Sequence, residues 1–187
     1  MPLREDTSST VPGIIEVRVK EVSQLFNSFD PSPFHERDLD DDAEDYIVGW
    51  AQELPANVAI RLMVHLPEAE QKRAEERGLA TALENFFNYR AEMLSHQLNE
   101  LFRQGNTALI IGLAVLASCL FTSQLLRSVI GAGPLGSLIE QSLIILGWVA
   151  NWRPLEIYLY DWWPIVRRRN LYRRLARAEV SLVLDRH

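Results

Sequence analysis

Cysteine is almost absent from this chain. Cys119 is the only one in 187 residues, which excludes an intramolecular disulfide and any cysteine-based metal site. Its position inside an apolar run reads as packing, because a free cysteine behaves as a small hydrophobe. Histidine is thin as well: His35, His65, His96 and His187 are scattered, with no pair at metal-ligand spacing and no HExxH arrangement. The sequence therefore predicts no metal and no cofactor. No glycine-rich phosphate loop, nucleophile elbow or dinucleotide fingerprint occurs either, and glycines gather instead in GAGPLG at 131–136. These absences point away from an enzyme. The opening MPLREDTSSTVPG has no apolar core and no small-residue cleavage pattern, so 1–13 reads as a disordered tail and neither a signal nor a transit peptide.

Charge is missing from one long stretch. Residues 107–126, TALIIGLAVLASCLFTSQLL, carry none between Arg103 and Arg127, about the length a helix needs to cross a bilayer. The ten large apolar residues in it favour insertion by about 5 kcal/mol, so the sequence predicts a first transmembrane helix over 105–127. A weaker apolar region, interrupted by Glu140 and Gln141, predicts a second over 137–153. The turn-rich 128–136 between them reads as an external turn closing a hairpin. Arg127 is the only basic residue of that connection, whereas Arg90 and Arg103 precede the first span and Arg153, Arg167, Arg168 and Arg169 follow the second. That asymmetry predicts a multi-pass inner (plasma) membrane protein with both termini cytosolic. Ala108 with Gly112, and Ala114 with Ser118, allow close helix approach. Glu140 lies one turn into the second helix, where Arg127 is placed to pair with it and a structural role outweighs a proton or ion pathway.

The net charge of −6 is unevenly distributed: residues 1–66 hold 13 acidic against 5 basic side chains, and 151–187 hold 8 basic against 4 acidic. An acidic head argues against nucleic acid as a partner, and a basic tail argues for anionic lipid beside it. In that tail Trp152, Tyr158, Trp162 and Trp163 precede Arg167, Arg168 and Arg169, the order expected of a membrane interface. The segment 154–187 is accordingly expected to be an aromatic and Arg-rich interfacial helix.

The head, 14–66, reads as strand, helix, strand. IIEVRVK alternates Ile15, Val17 and Val19 against charged residues, and NVAIRLMVHL places Val58, Ile60, Leu62, Val64 and Leu66 on one face. Between them Leu39, Ala43, Ile47, Trp50 and Leu54 predict a helix over 38–54. A crossover of this kind most simply makes two parallel strands, whose bare edges favour self-association. From 67 to 104 a long helix is expected, interrupted only at Gly78, with Leu79, Leu83, Phe87, Leu94, Leu98 and Leu101 as its stripe. Gln104, Gly105 and Asn106 mark either a joint at the membrane surface or a polar turn within one helix.

DLDDDAED places six acids, Asp38, Asp40, Asp41, Asp42, Glu44 and Asp45, within eight residues. Read as a calcium loop it has Ala43 where the sharp turn needs Gly and Gly49 where the bidentate Glu belongs, so that motif fails. Asp38 as a helix cap, with the remaining acids complementing the dipole, accounts for most of the run. Its exposed face, with Tyr46 and Trp50, is the candidate docking surface for a protein partner on the cytosolic side.

At DPSPFHERDLDDDAEDYIVGWA and PLEIYLYDWWPIVRRRNLYRRLA the chain resembles uncharacterised bacterial inner-membrane proteins with a short cytosolic head and two transmembrane helices. The resemblance implies a bacterial membrane setting and transfers no catalytic or ligand residue. The sequence thus predicts an α+β membrane protein: a β-α-β-α head, a two-helix transmembrane hairpin and a C-terminal interfacial basic helix. The function it favours is non-enzymatic: self-assembly, scaffolding or docking, as a homo-oligomer on anionic lipid. The alternative is an accessory or pore-forming subunit of a channel or transporter.

Overall fold

The computed structural model describes residues 12–130 and 133–185, so most of the tail expected over 1–13, Gly131 and Ala132 of the expected turn, and Arg186 and His187 lie outside the described residues. The chain divides into two compact units, one built from residues up to Met93 together with those from Arg168 on, the other from Leu94–Arg167.

The first unit is a mixed α/β head. β1 (Gly13–Arg18) and β2 (Ile60–Leu66) pair in parallel, as the intervening helix requires, with Ile15 opposite Leu62 and Val17 opposite Val64. The sheet does not stop there. A third strand, β3 (Glu179–Leu184), pairs parallel to β2 on its other edge and places Val180 opposite Leu62 and Leu182 opposite Val64. One of the edges expected to seek a partner is therefore filled by the chain's own C-terminal segment.

The inner face of the sheet, Ile15, Val17, Leu62, Val64 and Leu66, is buried. Its outer face mixes Ile14, Met63 and Val183 with charged side chains that lie close to one another. Arg61 meets Glu179 at 2.7 Å, Glu16 lies 3.6 Å from His65, and Arg18 lies 3.6 Å from Asp185. Parallel sheets are normally covered on both faces; here the exposed Glu16, Arg18, Arg61 and Glu179 side chains make one face compatible with water.

Helix α1 spans Asp41–Glu53, starting later than the sequence suggests, and its N-cap is Asp40, whose carboxylate accepts from the Asp42 N–H. Asp38 is not the cap; its own N–H donates to Asp30. The buried stripe of α1 is Glu44, Ile47, Val48 and Ala51, rotated from the expected one, so Trp50 stands half exposed. Helix α2 (Glu68–Arg77) ends at Gly78, which adopts φ 70°, a left-handed geometry suited to glycine. Helix α3 then runs Leu79–Ile130 as 52 residues without a joint at 104–106. In the head, α3 buries Leu79, Leu83 and Phe87.

The second unit is helical. α4 (Pro134–Ala150) starts with proline in its first turn, ends at Asn151, and is followed by α5 (Trp152–Glu156), a π-helical turn at Ile157–Asp161 and α6 (Trp162–Ala176), which continues into the first unit. Contacts between α3 and α4 run in opposite directions along the two helices. Arg127 meets Glu140 at 2.7 Å, Gly147 sits against Leu116, and Asn151 reaches the Gly112 carbonyl. Among the described residues α3 is the one helix long and apolar enough to cross a membrane. The 17 residues of α4 extend about 26 Å at 1.5 Å per residue.

The C-terminal segment departs most from expectation. It is not an interfacial helix to its end: the last turns of α6 bury Leu171, Tyr172, Leu175 and Ala176 in the first unit, and the chain returns as β3. The reason is amphipathic spacing. The arginines face outward between apolar residues at i, i+1, i+4 and i+5, and one of them, Arg174, holds the carbonyls of Pro55 and Val58 at 2.8 and 3.0 Å.

Candidate functional site

The acidic run of α1 separates into two populations. Asp38, Asp41, Asp42 and Asp45 are exposed and Asp40 is half-buried, whereas Glu44 is 6% exposed. On a helix beginning at Asp41, Glu44 lies three residues before Ile47 and thus on the core side. Tyr46 and Trp50 are half exposed, with ring centroids 6.3 Å apart, and the Tyr46 hydroxyl donates to the Glu16 carbonyl. Of the expected docking residues, Asp42, Tyr46 and Trp50 follow one another at i, i+4 and i+8 on the outward side of α1 with Asp41 in the same first turn, whereas Asp40 is the N-cap and Asp38 precedes the helix.

Glu44, absent from the sequence-level site, anchors a buried polar cluster. Arg90 of α3 donates to Glu44 Oε2 at 2.5 Å, and the Tyr172 hydroxyl of α6 donates to Glu44 Oε1. Arg168 lies with its guanidinium 5.8 Å from the Tyr172 ring centroid and a nitrogen 3.4 Å from the hydroxyl. Burial pushes the Tyr172 hydroxyl above its ordinary pKa, and donation to Glu44 pushes it the same way. Burial disfavours the charge on Arg90, but the bond and the charge of Glu44 outweigh it and raise its pKa overall. The cluster thus holds one carboxylate, one phenol and two guanidinium groups, Arg90 on the carboxylate and Arg168 beside the phenol, and clamps α1, α3 and α6 within the head. One signal for it lay in the sequence: Glu44, Ile47, Val48 and Ala51 follow i, i+3, i+4, i+7.

Of the residues expected at a membrane interface, Trp152, Tyr158, Trp162, Trp163 and Arg167 fall in the second unit and Arg168 and Arg169 in the first. Trp152 and Trp163 are mostly exposed and Trp162 half-buried. Tyr158 is tied down: its ring stacks on Phe102 with centroids 6.0 Å apart, and its hydroxyl donates to Asn106 at 2.5 Å. Arg168 belongs to the Tyr172 cluster, and Arg169 makes a 3.4 Å contact with Asn170.

In the second unit Glu140 has both oxygens 2.7 Å from one Arg127 nitrogen. The buried Asn151 is the polar contact that sequence reasoning missed. Its amide donates to the carbonyls of Gly112 and Gly147, at 3.1 and 2.9 Å, joining α3 to the end of α4. Both glycines permit the approach: a Cβ at Gly112 would lie 2.7 Å from Asn151 Oδ1, and one at Gly147 2.6 Å from Leu116 Cδ1.

Among the described residues no three His, Cys, Asp or Glu side chains come together as a metal site would require. The chain matches no protein-family model, no curated protein and no solved structure.

Proposed function

We propose that the chain is a non-enzymatic inner-membrane protein that docks a cytosolic partner through the outward face of α1 and self-assembles in the bilayer. What carries the reading is the exposed apolar surface of α3, the same helix that begins in the head core. Ile110 is 70% and Phe121 67% exposed, and only 17% of the most apolar window is buried. A water-soluble monomer rarely leaves a contiguous apolar surface of that extent bare, whereas lipid covers it at no cost.

A two-helix transmembrane hairpin is supported by the contacts of α4 along α3, with the short α4 extended by α5 toward the aromatic segment. Asn151 finds backbone acceptors on both helices, a pairing that suits a polar side chain within lipid. Both described ends of the chain, β1 and β3, belong to one sheet, which supports placing them on one side of the membrane. The Lys and Arg asymmetry, the bacterial setting implied by the resemblance and the attraction of anionic lipids make that side cytosolic. Glu140, which motivates a pore or accessory-channel role, is engaged by Arg127, so its geometry favours an ion pair over a conduction site.

Purification of the full-length protein in mild detergent, with light scattering and mass spectrometry, tests this. The expected particle is a multiple of 21.4 kDa resisting alkaline extraction from membranes, with a companion lost when Asp41, Asp42 and Asp45 are changed to Lys. Asp40 is left intact because it caps α1. Extraction with soluble proteins would reject the membrane reading. A companion unaffected by charge reversal, or a folded protein with no companion, would reject docking through α1.

A further inference from the structure

The second unit contains an open groove of about 610 Å³ along α3, with His96, Gln97, Asn99, Glu100, Arg103 and Gln104 on one wall and Ile165 of α6 on the other. Arg103 donates to Glu100 at 2.9 Å, and Gln104 approaches the same carboxylate at 3.4 Å. Both side chains remain accessible, Arg103 at 77% and Glu100 at 47%. The groove thus presents a cation and an anion side by side, flanked by amides and the His96 imidazole. Neither the docking face nor the Tyr172 cluster uses them.

We infer that this groove binds the zwitterionic headgroup of a phosphoethanolamine lipid, with the phosphate on Arg103 and the primary ammonium on Glu100. The inference rests on the membrane reading and adds a lipid class to it. Depth supports a headgroup. Arg103 lies four residues before Thr107, about 6 Å along the helix axis, comparable to the polar layer outside the hydrocarbon. The Tyr158 ring, stacked on Phe102 and bonded to Asn106, sits at the same level on the facing segment, the depth an interfacial aromatic favours.

Charge selects among headgroups. A purely anionic one gains little where Glu100 already neutralises Arg103. A trimethylammonium has no N–H to donate to Glu100 and prefers the faces of Trp, Tyr or Phe rings, and none of these lines the groove. A primary ammonium supplies three donors to a carboxylate and neighbouring amide oxygens, while the phosphate accepts from a guanidinium and amide N–H groups.

The test reconstitutes the full-length protein in nanodiscs of equal phosphatidylethanolamine, phosphatidylcholine and phosphatidylglycerol, then reads retained lipid by native mass spectrometry. Wild type should retain phosphatidylethanolamine in preference to the other two by about tenfold, the effect of one charge-assisted hydrogen bond. Glu100→Gln and Arg103→Gln, both at exposed positions, should abolish the preference with helicity unchanged by circular dichroism. Equal retention of all three lipids, or a preference that survives both variants, overturns the inference. Soluble glycerophosphoethanolamine displacing the lipid at equal concentration would assign the groove to a soluble ligand and overturn the lipid assignment. Failure to enter the bilayer at all is a separate outcome, and it rejects the membrane reading along with this one.

Discussion

Glu44 has the most to lose from a change of one atom. Its carboxylate is buried and its two oxygens are divided between Arg90 and Tyr172. Replacing Glu44 by Gln leaves a part-buried guanidinium without its counter-charge, which should cost about 3 kcal/mol, the low end for a broken buried pair because Arg90 is one-third exposed. Tyr172→Phe removes one donor and should cost about 1–2 kcal/mol. The double variant should depart from the sum, since both changes act on one network that shares the Glu44 carboxylate. Hydrogen exchange of peptides covering α1 reads these losses locally; unchanged protection in Glu44→Gln would mean the cluster does not hold the helix. The pKa directions set the pH range. Because the Tyr172 hydroxyl is raised in the folded state, its contribution is fully present below its ordinary value of 10.0 and disappears as pH rises through the folded value. The advantage of wild type over Tyr172→Phe should therefore shrink in alkaline solution. Glu70 behaves oppositely: the Val22 N–H first, then Arg73, hold it below 4.5, so its contribution is present above that value and lost as pH falls through the folded one. Glu70→Gln should accordingly flatten the acid side of the head's stability profile.

Elements differ in how far a substitution propagates. At Gly78, between α2 and α3, alanine must adopt a positive φ, which costs roughly 1–2 kcal/mol but meets no crowding, since the nearest side-chain atoms lie 4.0 Å away. At Gly147 the obstacle is another helix: a Cβ would lie 3.2 Å from the Leu116 Cα as well as 2.6 Å from its Cδ1. Gly147→Leu should therefore separate α4 from α3 and weaken the Asn151 bonds, whereas Gly78→Ala should lower head stability and leave that pairing intact. Protease sensitivity of α4 in detergent distinguishes the two variants: it should rise in Gly147→Leu and stay at the wild-type level in Gly78→Ala. Equal sensitivity of both would contradict this division. The elements also explain what the sequence could disclose. β1 and β2 were legible because Ile15, Val17, Leu62 and Val64 alternate cleanly with polar neighbours. The two halves of α3 were legible, one from hydrophobic spacing and the other from an uncharged run, but their continuity through Gln104, Gly105 and Asn106 was not, since a short polar stretch with a glycine is compatible with either a joint or an unbroken helix. β3 was not: EVSLVL is short, follows an arginine-rich helix, and acquires its meaning only from the open edge of β2 far away in sequence. Glu44 was hidden differently, since a count of six acids assigns them one environment and the phase of α1 assigns them two.

For the whole molecule, the sheet imposes a topological constraint on any membrane arrangement. β1 and β3 flank β2, so the chain must return to the side from which it left, and the segments between them must cross the bilayer an even number of times or not at all. In the proposed hairpin α3 is one crossing and α4 with α5 the return, which would put the first turn of α4, with Ser137, at the far end. Because Cys119 is the only cysteine, Cys119→Ala provides a clean background for accessibility mapping. Single cysteines at Ser28 and Ser181 report on the head, and one at Ser137, which is exposed in the first turn of α4, reports on that end of the helix. In intact cells a membrane-impermeant maleimide should label Ser137→Cys alone, and permeabilisation should expose Ser28→Cys and Ser181→Cys together. Labelling of Ser137→Cys only after permeabilisation would remove the hairpin and leave α3 on the bilayer surface or against another chain. Labelling of Ser28→Cys and Ser181→Cys from opposite sides would break the three-stranded sheet itself, because no membrane can separate strands that share β2.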